Sequence, residues 1–348
     1  MSGCLFTCTR FTRVECGHSC GPWHRRARSG RVSGPGAGVP LGLGTAVGRS
    51  SSGGFVNIGI GLPAAVPGTD GPTIIEWAET AAEVGFSSVG VLDRIVYDSY
   101  DPIAVLGAAA AVADVRLLGA VLLVPFRGGG AVVAKQLASV DRLSLGRLTV
   151  AVVVGDRQDD YIASGADFER RGHDHDRMLE EMHLTWRGAA AGVTGSIGPP
   201  PAQRGGPPVL VGGYGPAAIR RVVRHGAGWI SGGGGPEAFG RTADLVRAAW
   251  TGAGREGVPY LAAIGHFALG EHARTVARRY LTDYYGFLGG DAAETIAARA
   301  LTDTETLQRE LNGYAEAGCD ELVLFPCSAD PDEIDLLARA ALTAETAR

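Results

Sequence analysis

The sequence contains almost no lysine and no long apolar run. Lys135 is its single lysine, against 31 arginines. Barrel aldolases commonly need a catalytic lysine at a strand end, and Lys135 falls instead within a predicted helix, which argues against that class. No apolar segment reaches the roughly 18 residues of a membrane-spanning helix, and the net charge of −5 argues against a nucleic-acid partner. We therefore expect a cytoplasmic protein that acts on a small molecule.

Cysteine is scarce in the body of the chain. Four cysteines crowd the N-terminus and two lie near the end: Cys4, Cys8, Cys16, Cys20, Cys319 and Cys327. A domain of this size needs no disulfide framework. The spacing C-x3-C-x7-C-x3-C, with His18 and His24 nearby, leaves a zinc site as an alternative, but it lacks the C-x2-C pairs that structural zinc sites use. We predict no metal site.

Residues 1–54 differ in character from the rest of the chain. They hold seven arginines and one acidic residue, Glu15, and they show the period of neither a strand nor a helix. Arg25 and Arg26 look like the start of a twin-arginine signal, but no apolar segment follows them. We predict a disordered extension, or a start codon assigned too early, followed by one domain over residues 55–348.

Beyond Phe55, short apolar runs alternate with amphipathic segments about eight times. The apolar runs are nearly continuous, which is typical of parallel strands that are buried on both faces. Such alternation over about 290 residues favours a single-domain α/β fold, a closed (β/α)8 TIM barrel, over a doubly wound sheet. In such a barrel the ligand lies at the C-terminal ends of the strands, so the residues that follow each strand are the candidates for function.

Two strand ends run into glycine-rich turns. The segment VLVGGYGPAAI leads from a buried strand to a helix that begins near Pro216, and ISGGGGPE repeats the arrangement one strand later. Glycines let backbone N–H groups approach an anion closely, and a helix N-terminus adds partial positive charge. The alternative is a turn that merely needs glycine. We predict a phosphate cradle formed by Gly212, Gly213, Tyr214, Gly215, Ser231, Gly232 and Gly233.

Charged residues follow the second and fourth predicted strands. Asp93 and Arg94 come directly after VGVL, and GDRQDDY begins with Gly155 and Asp156 and contains Asp160. A carboxylate in a partly desolvated pocket has a raised pKa and can donate a proton. The alternatives are an ion pair on the barrel rim for the first pair and solvated loop charges for the second group.

The segment RGHDHDRMLEE contains His173 and His175, two residues apart. That spacing does not place both imidazoles on one face of a helix. We therefore predict a helix cap and ion-pair cluster rather than a metal site, formed by Arg171, His173, Asp174 and Asp176.

The strand ends, taken in order, read VLDRIVY, VLLVPFR, VVVGDRQDDY and VLVGGYGPAAIRR. The most specific part is AKQLASVDRLSLGRLTVAVVVGD, followed by an F-x-R-R-G segment. This ordered set resembles the luciferase-like monooxygenase family, whose members use FMN or coenzyme F420. The resemblance covers about residues 55–345. It implies a (β/α)8 barrel in which the two glycine turns hold the ribityl phosphate of the cofactor.

The resemblance also implies roles at the second, third and fourth strands. The flavin ring would rest on the third strand, at a non-proline cis peptide that matches Ala120–Val121; an ordinary core strand is the alternative. Asp156 lies where some deazaflavin enzymes place a catalytic carboxylate, and Asp160 where the family often contacts the ring. Arg94 stands where many members have a histidine. Arginine cannot shuttle protons near neutral pH, so Arg94 would hold an anionic substrate or stabilise the reduced cofactor.

We expect an F420-dependent oxidoreductase that transfers hydride to or from a small organic substrate, because the arginine-rich coding bias and the match to deazaflavin-type sequences favour it. One alternative is an FMN-dependent monooxygenase that receives reduced flavin from a separate reductase. Another is a flavin-binding protein without turnover, since the Gly/Pro-rich loop 188–208 would make a poor substrate lid. The resemblance also implies a homodimer packed through the second and third helices. Candidates to line the substrate pocket are Tyr97, Tyr161, His266 and Cys327.

Overall fold

A computed structural model describes residues 55–190, 192 and 194–342. Within these residues, eight parallel strands pair in chain order, and the last pairs with the first to close a barrel. The (β/α)8 barrel predicted from the sequence is therefore confirmed. The predicted extension over residues 1–54, with its four cysteines and the zinc alternative, lies outside the described residues and stays a prediction.

The strands are β1 (Asn57–Gly61), β2 (Ser88–Gly90), β3 (Arg116–Leu123), β4 (Leu148–Val153), β5 (Val209–Gly212), β6 (Gly228–Ser231), β7 (Tyr260–Phe267) and β8 (Glu321–Pro326). The helices of the described ranges are α1 (Gly71–Val84), α2 (Pro102–Val112), α3 (Gly130–Leu143), α4 (Gln158–Ser164), α5 (Arg171–Trp186), α6 (Pro216–His225), α7 (Gly235–Gly252), α8 (Ala273–Tyr284), α9 (Gly290–Ala297), α10 (Thr304–Glu316) and α11 (Asp332–Ala341). None of these helices combines the length and the apolar character needed to cross a membrane.

Local capping groups explain where several helices begin and end. The Asp70 carboxylate accepts a hydrogen bond from a first-turn N–H of α1 at 2.9 Å, and Gly85 ends that helix in the left-handed conformation with a φ of 96°. Asp101 caps α2 in the same way, with Pro102 in the first turn, where its missing N–H costs nothing. Asp303 caps α10. These caps set the strand-to-helix geometry on which the site depends.

Apolar side chains fill the barrel interior. Alternate residues of each strand either pack outward against the helices or cluster inside the barrel. The interior cluster includes Leu118, Ala151, Leu210, Ile230, Val323 and Phe325. Gly61 makes room for the largest of these, because a Cβ at that position would lie 2.1 Å from the ring of Phe325. The barrel interior is thus a packed core with no room for a ligand.

A buried carboxylate closes the N-terminal end of the barrel. Glu321, at the start of β8, is fully buried and accepts hydrogen bonds from the hydroxyls of Ser87 and Ser88, each at 2.7 Å. Tyr260 Oη donates to it at 2.9 Å, and Arg116 Nη2 lies 3.2 Å away. Because each of these partners precedes or begins a strand, the network joins four strands at one end. This end is a stabilising face, and ligand chemistry belongs at the other.

The described part of the loop between α5 and β5 also lies at the N-terminal end. The backbone N–H and side-chain amide of Gln203 donate to the Asp141 carboxylate at 2.9 and 2.8 Å, and the amide also donates to Leu148 O at 2.7 Å. Leu148 is the first residue of β4. The loop is therefore on the face opposite the strand C-termini, and its composition carries no information about a substrate lid.

Candidate active site

Asp93 lies at the C-terminal end of β2 and is bound to an arginine from the next strand unit. It is 2% exposed, and its carboxylate accepts hydrogen bonds from Leu123 N–H at 2.8 Å and from Arg127 Nε and Nη2 at 3.0 and 2.7 Å. Burial raises the pKa of Asp93, and the Arg127 guanidinium opposes that rise. The rim ion pair considered from the sequence is therefore formed with Arg127, and this carboxylate has its acceptor sites engaged.

Arg94 pairs instead with Asp160, at the start of α4. Arg94 Nη1 lies 3.5 Å from Asp160 Oδ2, and both side chains are at least nine-tenths buried. The Asp160 carboxylate also accepts Ile95 N–H and Val96 N–H at 3.1 and 2.8 Å, so it orders the turn after β2. The Arg94 guanidinium packs 4.4 Å from the ring centre of Phe287. In this structure Asp160 therefore pairs with Arg94 and orders the turn after β2.

The remaining residues expected after β4 lie at the surface of the turn. Asp156 is exposed, so it does not lie in the partly desolvated pocket in which the sequence placed a proton donor. Gly155 adopts a left-handed φ of 75°, and a Cβ at that position would lie 2.5 Å from Leu123 Cδ2. Gly155 therefore lets the β4 turn approach the end of β3.

Strand β3 is irregular at the point where the flavin ring was expected to rest, but the irregularity is not the expected cis peptide. Ala120–Val121 is not a cis peptide; in the described ranges the cis peptide bond is Gly198–Pro199. Val121 instead adopts a left-handed φ of 62°, and the pairing of β3 with β4 shifts register between Gly119 and Leu122. A β-branched residue in this region costs about 1–3 kcal/mol. The strand therefore holds a bulge here, with Val121 packed against the barrel interior.

The two glycine turns lie side by side at the ends of β5 and β6, and Tyr214 joins them. Tyr214 Oη accepts a hydrogen bond from Gly232 N–H at 2.9 Å and lies 3.2 Å from both Ser231 Oγ and Gly233 O. Gly213 and Gly233 have φ values of 116° and 123°, which glycine alone adopts readily. The structure thus brings together the residues of the predicted cradle. One backbone N–H donor of the cradle, that of Gly232, is bonded to the Tyr214 hydroxyl.

The donors of the cradle suit an anion. The helices α6 and α7 begin next to the two turns, and a helix N-terminus carries a partial positive charge. Pro216 and Pro236 supply no N–H there, and Ala218 N–H donates to Gly215 O at 3.0 Å. Gly215 and Gly232 are exposed, and a Cβ at Gly215 would meet no atom within 4 Å. Arg299 adds a guanidinium, whose Nη1 donates to Gly234 O at 2.8 Å. These groups fit a phosphate that approaches from solvent.

Aromatic side chains from α8 and the following turn cover the mouth of the barrel. His266, near the end of β7, lies 3.0 Å from Tyr285 Oη through Nε2, and its ring centre is 6.2 Å from that of Phe325. Tyr280 and Tyr284 are buried beside them. Burial lowers the pKa of His266 to about 4, so the imidazole is neutral at pH 7. Its Nδ1 is buried without a partner among the described residues.

The other pocket candidates fall on both sides of this mouth. The Tyr97 ring meets Tyr284 edge-on at 5.0 Å, and its hydroxyl donates to Asp283 at 2.7 Å. Tyr161 is 1% exposed and packs between other aromatic rings, so it does not line an open pocket. Cys327 is buried within the interior cluster. Sequence reasoning missed Tyr280, Tyr284 and Tyr285, although the string YLTDYYGF was a visible signal.

The histidine-rich start of α5 forms ion pairs. Asp174 lies within 4 Å of basic nitrogens on His173 and on neighbouring arginines, and Asp176 pairs with Arg221 at 2.6 Å. His175 is 1% exposed and takes part in none of these ion pairs. In the described part of the chain, no three His, Cys, Asp or Glu side chains come together as a metal site would require.

The comparisons agree with this barrel fold. A family model described as luciferase-like monooxygenase matches residues 55–331. The chain belongs to the luciferase-like monooxygenase family. The uncharacterized protein Rv0953c of Mycobacterium tuberculosis is 32% identical over 179 residues, which cover 47% of this chain and 61% of that relative.

Solved structures of similar fold include enzymes with either cofactor. An F420-dependent secondary alcohol dehydrogenase in complex with an F420–acetone adduct has a TM-score of 0.68 and 19% identity, covering 82% of this chain and 98% of that one. The oxygenating constituent of 3,6-diketocamphane monooxygenase from Pseudomonas putida, in complex with FMN, has a TM-score of 0.62 and 15% identity, with coverages of 82% and 98%. At these identities the likeness shows a shared fold.

Proposed function

We propose that this luciferase-like protein is an F420-dependent oxidoreductase that transfers hydride to or from a small organic substrate. The observation that carries the proposal is the cradle at Tyr214, Gly215 and Gly232, which is open to solvent and is built mainly from neutral donors. Similar folds bind F420 or FMN. The choice between the two cofactors therefore depends on which phosphate the cradle suits.

The two cofactors differ in the charge and the continuation of their phosphate. FMN ends in a phosphate monoester, which carries a charge of about −1.5 to −2 at pH 7. F420 holds its phosphate as a diester with a single negative charge, and the chain continues into an acidic tail. Backbone N–H groups with one guanidinium, that of Arg299, match a single charge better than two. The exposed Gly215 and Gly232 leave a path by which the tail reaches solvent.

The residues of the chain would bind and orient the cofactor rather than react. The deazaflavin ring, when bound, supplies the carbon that accepts or gives hydride. Arg94, fixed by Asp160 and stacked on Phe287, keeps a positive charge at the end of β2 and cannot move a proton. His266 is neutral and has one free ring nitrogen, so it can donate or accept a hydrogen bond at the barrel mouth. The surrounding tyrosines exclude water from that position.

A fluorescence titration tests this proposal. The full chain is mixed with F420 and, separately, with FMN, and cofactor emission is followed to saturation. We expect F420 to bind with a Kd on the order of 1 μM, about −8 kcal/mol, and FMN to bind at least about 10-fold more weakly, since the second phosphate charge has no added cation. Tighter binding of FMN would favour the FMN-dependent monooxygenase. Failure of both cofactors to bind would refute the proposal.

Reduction assays then separate an enzyme from a binding protein. The F420-loaded chain is mixed with a panel of small alcohols, and the loss of absorbance of oxidised F420 is recorded. Reduction by any member of the panel supports hydride transfer. Tight F420 binding, with no reduction of oxidised F420 by alcohols and no oxidation of reduced F420 by aldehydes or enones, would favour a cofactor-binding protein without turnover.

A further inference from the structure

A cavity lies on the outside of the barrel, away from the strand C-termini. It has a volume of about 520 Å³, which is in the range of small-ligand sites. It lies between the C-terminal ends of α5 and α6. We call it the basic cleft, and it is lined by Glu180, His183, Leu184, Arg187, Arg224, His225 and Arg255.

The basic cleft carries an excess of positive charge. Arg224 forms an ion pair with Glu180. Arg255 is fixed by donating to Gly226 O at 2.9 Å and by packing 4.1 Å from the ring centre of Trp250. Arg187 is exposed and has no ion-pair partner among the described residues. Three guanidinium groups against one carboxylate leave two positive charges facing the same cavity.

Two stacked histidines form one wall of the basic cleft. The rings of His183 and His225 lie 5.9 Å apart and are nearly parallel, at 11°. His183 Nε2 lies 3.1 Å from His225 O, whereas His225 Nε2 is buried without a partner among the described residues. Burial lowers the pKa of both rings; Arg187 lowers that of His183 further, and His183 and Arg224 lower that of His225. Both rings are therefore neutral at pH 7.

Cations at helix C-termini are common, because they compensate the helix dipole. That role explains Arg255, which binds carbonyls at the end of α6. It does not explain a cavity of about 520 Å³, an unpaired arginine at its edge and an imidazole nitrogen with no partner. Buried polar atoms without partners are rare in proteins, and each one points to a missing ligand or water.

We propose that the basic cleft binds a small dianion of the phosphate class, either inorganic phosphate or a phosphorylated small molecule. The net charge of the lining matches two negative charges, and guanidinium groups bind such anions through paired hydrogen bonds. The proposal is independent of the proposed function, because the cleft is separate from the cradle at Tyr214.

Anion binding at the basic cleft is coupled to proton uptake. Burial first, and nearby cationic groups second, lower the pKa of the two imidazoles; a bound dianion favours their protonated forms, so the affinity rises as the pH falls. The ionisable groups that face the pair come from α5, α6 and the segment after α7, and they are His175, Asp176, Glu180, Arg187, Arg224 and Arg255. Of these, Asp176 and Glu180 act in the opposite sense by favouring the protonated form of His225 in the free protein.

Calorimetric titration of the full chain with sulfate tests the proposal, because sulfate stays doubly charged between pH 5.5 and 8. Ionic strength is held constant with sodium chloride. We expect saturable binding that is at least about 10-fold tighter at pH 5.5 than at pH 8. The double variant Arg187→Ala/Arg224→Ala should lose at least about 10-fold in affinity. Arg220→Ala, on α6 but outside the cleft lining, is the matched control and should bind like the parent chain.

Two further variants keep the proposal falsifiable. His183→Gln/His225→Gln should keep the affinity at pH 8 and lose the pH dependence. If the double arginine variant does not fold, Arg187→Glu reverses one exposed charge and should weaken binding alone. The proposal is overturned if sulfate does not bind saturably at pH 5.5, or if the arginine variants keep the affinity of the parent chain. It is also overturned if a polyglutamate peptide binds and sulfate does not, because that result would indicate an acidic protein partner.

Discussion

The hydroxyl of Tyr214 occupies a donor that an anion in the cradle needs. Gly232 N–H donates to Tyr214 Oη at 2.9 Å, and one N–H cannot serve both the tyrosine and a phosphate oxygen with good geometry. A cofactor phosphate must therefore displace the tyrosine. The side chain is 52% exposed, so it can swing outward while uncovering little apolar surface. We predict that Tyr214→Phe tightens the binding of F420 and of inorganic phosphate.

The size of this effect follows from the hydrogen bonds of the hydroxyl. Its bond with Gly232 N–H and its contacts with Ser231 Oγ and Gly233 O are of ordinary length, and each net hydrogen bond contributes about 0.5–1.5 kcal/mol. Removing one to two such bonds from the free state should tighten binding by about 1–2 kcal/mol, or about 5- to 30-fold.

Two measurements check the Tyr214 prediction. Calorimetric titration gives the affinity for each ligand, and hydrogen exchange of the Gly232 amide reports the bond itself, since that amide should exchange faster in Tyr214→Phe. Tyr100→Phe is the control, because Tyr100 Oη donates to Thr69 O, away from the cradle. Weaker binding in Tyr214→Phe would refute the reasoning and would make the hydroxyl a ligand-binding group.

Three further predictions concern buried groups. Asp93→Ala leaves Arg127, whose side chain is 12% exposed, with Asp101 as its remaining carboxylate partner at 3.1 Å, and should lower the free energy of unfolding by about 1.5–3 kcal/mol in urea denaturation; a loss below about 0.5 kcal/mol would contradict the ion pair. Gly61→Leu pushes a side chain into Phe325 and should cost about 1–3 kcal/mol, seen as a lower Tm; an unchanged Tm would show that the barrel interior is loose. Burial lowers the pKa of His175 to about 3. Between about pH 6.5 and pH 3 the unfolded chain therefore binds a proton that the folded chain does not, so a lower pH decreases the free energy of unfolding. We expect His175→Leu to reduce the loss in free energy of unfolding between pH 7 and pH 5 by about 2 kcal/mol. An unchanged pH dependence would show that another group causes the loss.

Helix and strand positions with local signals could be predicted from the sequence. An aspartate followed by proline is a sequence signal for a helix start, and a glycine after an amphipathic run is a signal for a helix end; Asp101 with Pro102 begins α2, and Gly85 ends α1. The short helices α4 and α9 could not be predicted in the same way. Gln158–Ser164 has the composition of a polar turn, and α9 is fixed by packing of Ala293 and Ala297 rather than by a strong intrinsic pattern.

The residues of the site could be located by strand end, but their partners could not. Asp93 binds Arg127, which is 34 residues away, and Arg94 binds Asp160, which is 66 residues away. Both contacts depend on how neighbouring strands are placed in the barrel. The same holds for Tyr214, whose hydroxyl reaches the turn of the next strand. Periodicity shows which face a residue occupies, and it does not show which residue stands opposite.

The third strand shows a different limit. Resemblance to the family suggested a cis peptide at Ala120–Val121, and the structure has a bulge there, with Val121 in the left-handed region. Backbone conformation at a single residue depends on the surrounding packing. An irregularity is present at the expected place in β3, but the predicted cis peptide was wrong.

The most direct test of the account is the affinity of F420 for two variants of one glycine in the cradle. Gly232 is exposed, and a Cβ there would lie 3.6 Å from Tyr214 Oη, so side chains fit without strain. Gly232→Glu places a carboxylate beside the phosphate position and should weaken F420 binding at least about 10-fold, while Gly232→Ala should change it less than about threefold. Equal F420 affinities for the parent chain and Gly232→Glu, with both proteins folded, would contradict the assignment of this cradle to the cofactor phosphate.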